Sequence, residues 1–334
     1  MMTTHLFPEK LLGCLKAPRG NNETTLIETR EGLKCSQTGE FFPHANNIPS
    51  LFAPAEWENS DVTQRVKEFY EENPFPSYEG LEDFSELVSK GYLNPFTNSL
   101  LKAIGYNKLI LECGCGTGQI SHFLQLNNNH VLGIDMSLAS LGLAQEHKIR
   151  NDLARSAFAQ MNIFELAIKD ESFDVVISHG VLHHTFDAAR AFDCIVKKAK
   201  SNGIVIVGLY NKPARLPTLV RSKLIGLFGS KIDYVVRNRI QDEKKAQIWV
   251  NDQYYNPHET WHSIDEVFGW FDNNNIEILN VSPPVLGSST EDSLNLFEIS
   301  DLGSPLKRWT TQISWLSSIA REGAMFDVIG RKRI

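Results

Sequence analysis

Residues 108–118 read Lys-Leu-Ile-Leu-Glu-Cys-Gly-Cys-Gly-Thr-Gly, and the organisation of the chain can be worked out from them. Leu109 to Leu111 form an apolar run of strand length, followed by Glu112 and then by three glycines within five positions. Residues 119–124 can continue as a helix. A strand, a tight glycine-rich turn and a helix form a nucleotide-binding arrangement, because glycine lets the backbone turn sharply and lets a ligand lie against it.

Composition narrows the classes of protein to consider. The chain has 334 residues, of which 33 are Lys or Arg and 40 are Asp or Glu, so its net charge is −7. This balance does not favour a general nucleic-acid or membrane binder, although it leaves a local basic patch open. The five cysteines are an odd and scattered set, which indicates reduced thiols.

No targeting or membrane-spanning segment is evident in the sequence. Met1 to His5 lack the basic start of a signal peptide, and no run reaches the roughly 18 apolar residues that a membrane span needs. We therefore expect a cytoplasmic protein.

Downstream of the glycine-rich turn, apolar strands alternate with helices. This alternation predicts an α/β fold with a doubly wound, Rossmann-like sheet of seven strands covered on both faces. The strands expected after Leu109–Leu111 are His130–Ile134, Ala157–Met161, Phe173–Ser178, Gly203–Leu209, Ile276–Val281 and Ala324–Arg331, the last of them antiparallel.

Three further regions flank or interrupt this alternation. Residues 1–57 are rich in turns and short strands and form a small module, while residues 58–334 form the main domain. Within that domain, residues 61–106 show helical spacing and predict a helical cap. Residues 211–262 interrupt the alternation of strands and helices and predict a helical lid at the carboxyl ends of the strands, where open α/β sheets bind ligands.

The amino-terminal module resembles the zinc-ribbon-like module that precedes some bacterial methyltransferases. In that module each knuckle carries a pair of cysteines, whereas this chain keeps only Cys14 and Cys35. Two thiolates cannot complete a four-ligand structural zinc site, so we expect a degenerate, metal-free module.

Two acidic residues and the glycine spacing indicate which nucleotide the turn holds. Asp135 lies 23 positions after Glu112, at the end of the next strand, where a carboxylate can accept hydrogen bonds from ribose hydroxyls. The fourth strand is followed by His179-Gly-Val-Leu-His-His184. A site for NAD(P) expects Gly-x-Gly-x-x-Gly, and here the third glycine comes one residue too soon.

Together these motifs resemble those of class I S-adenosylmethionine-dependent methyltransferases, especially the ubiquinone/menaquinone-biosynthesis methylases. The resemblance covers about residues 61–331 and is strongest over residues 108–210. It implies S-adenosyl-L-methionine as the cofactor, with Glu112 and His179 near the methionine moiety and Asp135 at the ribose. The full set of cofactor-binding residues that it implies is Glu112, Gly114, Cys115, Gly116, Gly118, Asp135, Met136, Met161, Asn162 and His179.

Candidate catalytic groups lie after the fourth strand and in the lid. A neutral imidazole can take a proton from a phenol or hydroxyl during methyl transfer, which makes His183 the first candidate base, with His179 and His184 as the alternatives. Tyr254 and His258 are candidates in the lid, where we expect them to line the acceptor pocket with Tyr255, Glu259 and His262.

Residues 258–262 also read His-Glu-Thr-Trp-His, the spacing of a zinc-binding helix. Asn256-Pro257 immediately precedes the first histidine, and no third ligand is evident, so we expect no metal there.

The expected function is methyl transfer, by direct in-line displacement, to an oxygen or carbon of a small or lipophilic metabolite. The alternatives are RNA or protein methylation and a non-catalytic scaffold that binds S-adenosylmethionine. Nucleic acid is a disfavoured partner because the net charge is negative. The sequence leaves the acceptor and the oligomeric state open.

Overall fold

The computed structural model describes residues 6–78, 80–238, 240, 242–286 and 295–334, apart from the side chains of residues 321 and 322. It begins with a small module, in which a short helix precedes four strands that pair antiparallel in chain order. These elements are α1 (Glu9–Leu12), β1 (Leu26–Glu28), β2 (Gly32–Cys35), β3 (Phe41–Ala45) and β4 (Ile48–Pro49).

Cys14 and Cys35 are both buried in the apolar core of this module. Among the described residues, no group of three or more His, Cys, Asp or Glu side chains is arranged to hold a metal ion. The likeness to a zinc ribbon therefore gains no support, and the module is an antiparallel sheet with an apolar core.

The predicted helical cap consists of three helices, α2 (Ser60–Glu72), α3 (Phe84–Leu93) and α4 (Pro95–Ile104). The Asn59 side chain accepts a hydrogen bond from the Val62 amide and so caps α2. Asn94 ends α3 and caps α4, whose first residue is Pro95, a favoured residue at that position.

The main sheet has seven strands in the order β10-β11-β9-β8-β5-β6-β7. Six strands run in the same direction, and β11 lies antiparallel between β9 and β10. This confirms the predicted α/β fold with its antiparallel last strand. The strands are β5 (Leu109–Cys113), β6 (His130–Asp135), β7 (Ser156–Gln160), β8 (Phe173–His179), β9 (Ala199–Tyr210), β10 (Ile276–Ser282) and β11 (Met325–Lys332).

Helices connect these strands and form the lid. The connecting helices are α5 (Gln119–Leu124), α6 (Leu138–Arg150) and α7 (Ala188–Val196), and the lid helices are α8 (Lys212–Phe228), α9 (Tyr234–Asn238) and α10 (Glu243–Tyr254). After the lid come α11 (Ile264–Asn273) and α12 (Pro305–Ser314). None of the helices in the described ranges has the length and hydrophobicity needed to cross a membrane.

The amino-terminal module docks on the open edge of the main sheet, next to β7. Ser50 forms a parallel bridge with Gln160, and Leu15 forms an antiparallel bridge with Ile168. The Leu51 amide donates to the Gln160 carbonyl at 2.9 Å. Edge strands expose unpaired backbone groups, so the module protects this edge.

Candidate functional site

A cavity of about 340 Å³ lies at the carboxyl ends of β5, β6 and β8. Open parallel sheets bind ligands at this edge, and ligand cavities are commonly roughly 300–1,000 Å³ in size. Residues from the sheet, α2 and the lid contribute to its walls. The cavity therefore joins the glycine-rich turn to the helical cap, through α2, and to the lid, through α10.

The glycine-rich turn is held tightly against the end of β6. The amides of Gly114 and Cys115 donate to the Ile134 carbonyl at 2.8 and 2.9 Å. Gly114 has a φ of +76°, and a Cβ atom there would overlap the Val181 side chain. Its backbone conformation and its close neighbour both exclude a larger residue.

Asp135 ends β6 and turns its carboxylate towards the glycine-rich turn. Its two oxygens accept hydrogen bonds from the amides of Gly116, at 2.8 Å, and Ser137, at 2.9 Å. Burial raises the pKa of this carboxyl, and the amide hydrogen bonds oppose the shift. Each carboxylate oxygen keeps a second lone pair, so Asp135 can also accept from ligand hydroxyls. Met136 and Met161 line the cavity on the same side.

Glu112 and His179 line the other end of the cavity. Burial raises the pKa of the Glu112 carboxyl to about 7, although the hydrogen bond from Ser121 and the nearby His179 oppose the shift. His179 Nδ1 lies 2.6 Å from the Asp327 carboxylate. Burial opposes protonation of His179, but Asp327 overcomes it and the net effect is a raised pKa. This end therefore suits a ligand with both charged and polar groups.

Gly208 leaves the space in which His179 and Asp327 meet. A Cβ atom at residue 208 would come within 2.5 Å of His179 Nδ1 and of Asp327 Oδ1. The sequence did not indicate this pairing, because the two partners are 148 positions apart.

Two predicted cofactor residues lie outside the cavity wall. Gly118 caps α5 with a φ of +77° and packs against Phe158 instead. The Asn162 amide group donates to Glu58 at 2.5 Å, and its oxygen accepts from the Phe164 amide at 3.0 Å. Both polar groups of Asn162 are thus already engaged, and its neighbours Met161 and Ile163 line the cavity in its place.

The wall opposite the glycine-rich turn is aromatic and carries one carboxylate. It is formed by Tyr70 of α2, His184, Tyr210 of β9, and Trp249 and Asp252 of α10. The Tyr70 hydroxyl donates to Asp252 Oδ1 at 2.9 Å, and Gln253 donates to Asp252 Oδ2 at 2.9 Å. We call these five residues the acceptor wall.

His184 is the imidazole of the acceptor wall. Its Nδ1 lies 2.8 Å from the His258 carbonyl, which can only accept, so Nδ1 carries the proton and Nε2 carries a lone pair. Burial lowers the pKa of His184, although Asp252 and the hydrogen bond to His258 oppose the shift. His184 is therefore a neutral imidazole whose remaining ring nitrogen can accept a proton.

A buried arginine fixes the lid behind the acceptor wall. Arg215 of α8 is 1% exposed and donates to both oxygens of Glu259, at 2.8 and 2.6 Å. It also donates to the Gln253 side chain at 2.7 Å and stacks over the Tyr210 ring at 3.8 Å. The guanidinium thus connects α8, α10 and β9, and it satisfies the hydrogen bonds that a buried charge requires.

Three predicted catalytic side chains do not line the cavity. His183 is fully buried behind His184 and stacks on the Tyr210 ring at 3.9 Å. The Tyr254 hydroxyl donates to Asp233, away from the acceptor wall. His258 contributes its carbonyl to His184, whereas its side chain is not part of the wall. The described lid reaches the cavity through Trp249, Asp252 and Gln253 instead.

The segment with the His-Glu-x-x-His spacing is not helical, so His258 and His262 do not share a helix face. Glu259 is bound by Arg215, and His262 lies 2.8 Å from Glu266 and 2.9 Å from the Thr260 hydroxyl. The side chains of this segment are therefore not arranged as they would be in a zinc-binding helix.

The glycine-rich turn and the Asp135 carboxylate suit a ligand with a ribose and an amino-acid end. Residues 105–263 match the family described as "Methyltransferase domain". A ubiquinone biosynthesis O-methyltransferase of Alkalilimnicola ehrlichii is 35% identical over 31% of this chain and 42% of its own length. Phosphoethanolamine N-methyltransferase 1 of Arabidopsis thaliana is 28% identical over 45% of this chain and 28% of its own length. The chain thus spans less than half the length of these two curated relatives.

One similar solved structure is that of phosphoethanolamine N-methyltransferase 2 of Haemonchus contortus in complex with S-adenosylhomocysteine. It is 16% identical to this chain with a TM-score of 0.46, and the match covers 80% of this chain and 60% of that one. The family match and the two named relatives all indicate a methyltransferase. Over residues 105–263, just under half of the chain, the protein is thus similar to S-adenosylmethionine-dependent methyltransferases.

Proposed function

We propose that this protein transfers a methyl group from S-adenosylmethionine to a hydroxyl group of a small, planar acceptor. One observation carries the proposal: a single cavity joins the glycine-rich turn to the acceptor wall. Bound S-adenosylmethionine supplies a methyl group on an electrophilic sulfonium centre. The chain's own residues then have to hold both molecules in line and accept one proton.

The cofactor would be held by the residues at the ends of β5, β6 and β8. Asp135 would accept hydrogen bonds from the ribose hydroxyls, and Met136 and Met161 would contact the adenine. Glu112 and His179 would face the amino-acid end, where the carboxyl group of Glu112 can pair with an ammonium group.

His184 is our candidate for the general base. A neutral hydroxyl is a weak nucleophile, and a positioned imidazole can take its proton as the oxygen attacks. None of the hydrogen bonds described for His184 uses Nε2, while Nδ1 is fixed by the His258 carbonyl. His184 replaces His183 in this role because it borders the cavity and His183 does not.

The acceptor wall favours a flat, largely apolar acceptor. Tyr70 and Trp249 contribute rings on which an aromatic acceptor can stack, whereas His183 and Arg215 already stack on the Tyr210 ring. Both oxygens of Asp252 already accept hydrogen bonds within the protein. We therefore infer that Asp252 orients Tyr70 and Gln253 rather than binding an acceptor ammonium.

Calorimetry with S-adenosylmethionine and S-adenosylhomocysteine is the first test, and we expect both to bind while NAD does not. Absence of binding would overturn the proposal. Cell extract is then incubated with enzyme and methyl-labelled cofactor, and we expect label in a small-molecule fraction by mass spectrometry. Label in RNA or protein would favour those alternatives, and binding with no labelled product would favour a non-catalytic scaffold.

A further inference from the structure

The solvent-facing side of lid helix α8 is apolar. Its inner side carries the buried Arg215, while Leu216, Leu219, Val220 and Leu227 are 51%, 48%, 60% and 76% exposed. The spacing of these four residues puts them on one face of the helix. Phe228, at the end of α8, is 71% exposed as well. Contiguous exposed apolar side chains of this size mark a surface for interaction.

Helix α12 packs against α8 and carries a similar face. Leu306, Trp309 and Ile313 are 72%, 51% and 42% exposed, and they recur at helical spacing. Eight large apolar side chains on two neighbouring helices thus face solvent. We call them the α8–α12 surface.

The charges on these two helices are all positive. Residues 212–228 and 305–314 contain six Lys or Arg residues and no Asp or Glu, although the whole chain has a net charge of −7. Lys212, Lys223 and Lys307 are exposed, and Lys231 follows in the turn after α8. Arg215 is buried with Glu259, and Arg308 pairs with Asp265 at 2.5 Å. The exposed lysines therefore give this surface a positive charge.

We propose that the α8–α12 surface docks on an anionic lipid bilayer. An amphipathic helix with apolar side chains beside lysines lies in the interface, with its apolar face among the lipid headgroups and acyl chains. The lysines attract the negative surface potential of such a leaflet. A second copy of the chain fits less well, because a two-fold contact would bring the same lysines against each other.

The proposed contact is peripheral. No helix of the described chain is long and apolar enough to span a membrane, and α8 has 17 residues. One face of α8 is joined to Gln253 and Glu259 through Arg215, and the opposite face is the proposed docking face. The lid would therefore lie between the bilayer and the acceptor wall. This surface is independent of the chemistry proposed for the cavity.

The test is flotation of the purified protein with vesicles of phosphatidylcholine alone, or with about 30% phosphatidylglycerol. We expect binding only to the anionic vesicles, and weaker binding in high salt. The double variant Leu219→Glu/Leu227→Glu should lower the partition coefficient about ten-fold or more. Ile149→Glu is the matched control, because Ile149 is 62% exposed on α6, away from the lid. It should bind vesicles as the unmodified protein does.

Cofactor affinity and unfolding temperature show whether the variants are folded, and both should be unchanged. If the double variant unfolds, Leu227→Glu alone in the last turn of α8 carries the test. No flotation with anionic vesicles, or equal flotation of the folded lid variant, would overturn the proposal. A dimer in solution that becomes monomeric in the lid variant would overturn it in favour of a second copy.

Discussion

His183 and His184 are adjacent in sequence but have different surroundings. Both rings are buried, yet His184 borders the cavity and His183 packs between Tyr210 and the rest of the core. Burial, with the nearby His184, lowers the pKa of His183 well below its ordinary value, so His183 is neutral too. Access to the acceptor, rather than charge state, therefore separates the two residues.

His184→Asn should remove the base and keep the local structure. The asparagine amide can still donate to the His258 carbonyl, which Nδ1 does now at 2.8 Å, but it has no counterpart of Nε2. We expect turnover to fall about 10²–10⁴-fold and the basic group to vanish from the pH–rate profile. Cofactor affinity, measured by calorimetry, should stay the same.

His183→Phe is the matched control for this variant. Neither ring nitrogen of His183 has a hydrogen-bond partner within the described structure, so an apolar ring should be tolerated at that place. We expect normal turnover from the control. Equal losses of turnover in the two variants would count against His184 as the base.

Glu112 makes stability depend on pH in a direction that can be checked. Its pKa is about 7 in the folded protein against 4.5 ordinarily, so the folded state binds more protons between these values. The stability contributed by protonated Glu112 is therefore present below pH 4.5 and is lost as the pH rises towards 7. The expected contribution is roughly 3 kcal/mol.

The readout is the free energy of unfolding of the unmodified protein minus that of Glu112→Gln, measured by denaturant titration from pH 4.5 to 7.5. This difference is needed because buried histidines act in the opposite direction: burial lowers the pKa of His122 to about 3, so its contribution is lost as the pH falls. A difference that does not change with pH would rule out a raised pKa for Glu112.

Most residues predicted for the cofactor line the cavity, whereas most residues predicted for catalysis do not. Gly114 and Gly116 lie in one short motif, Asp135 ends the next strand, and both features are visible in the residue types. His184, Tyr210 and Asp252 come from three distant segments, and nothing in their local spacing indicates that they converge. The choice between His183 and His184 depends on a 3₁₀ turn over Leu182–His184, which local residue types do not specify.

The docked amino-terminal module supports an element of the main domain through a chain of hydrogen bonds. The Ser50 hydroxyl donates to Gln160 at 2.7 Å, and the Gln160 amide donates to the Met136 carbonyl at 2.9 Å. Met136 lines the cavity beside Asp135. The module thus reaches the part of the cavity that we propose for the ribose and adenine through one buried side chain, Gln160.

Ser50→Ala should weaken cofactor binding without unfolding the module. A lost hydrogen bond of this kind contributes about 1 kcal/mol, so we expect the dissociation constant for S-adenosylhomocysteine to rise about three- to ten-fold. Ser36→Ala is the matched control in the same module, because the Ser36 hydroxyl bonds only to exposed partners, Thr25 and Gln37. Equal affinities for the two variants would dismiss the connection.

Arg215 holds the lid helices together, so replacing this side chain should lower the stability of the protein. Arg215→Met leaves Glu259 and Gln253 without their buried cation, which we expect to lower the free energy of unfolding by about 3–5 kcal/mol. The double variant Arg215→Met/Glu259→Leu should recover part of this loss, since no unpaired carboxylate remains. Chemical denaturation measures both values, and a double variant less stable than the single would contradict the account.

At the scale of the whole molecule, the fold class follows from the pattern of strands and helices. Continuous apolar runs separated by helices permit few topologies, and the expected α/β sheet is observed for that reason. The lid could not be predicted as well, because α8 exposes the apolar residues that a sequence pattern assigns to a core. The packing of residues 1–57 against β7 could not be predicted from the sequence either, since it depends on contacts such as that of Ser50 with Gln160, 110 positions apart.

The place of β11 between β9 and β10 has a consequence for synthesis. A ribosome makes the glycine-rich turn long before residues 325–332, yet Asp327 of β11 is the partner of His179. A nascent or prematurely ended chain therefore lacks an interior strand of the sheet and the carboxylate that pairs with His179. We therefore expect cofactor binding to develop only after translation has passed β11.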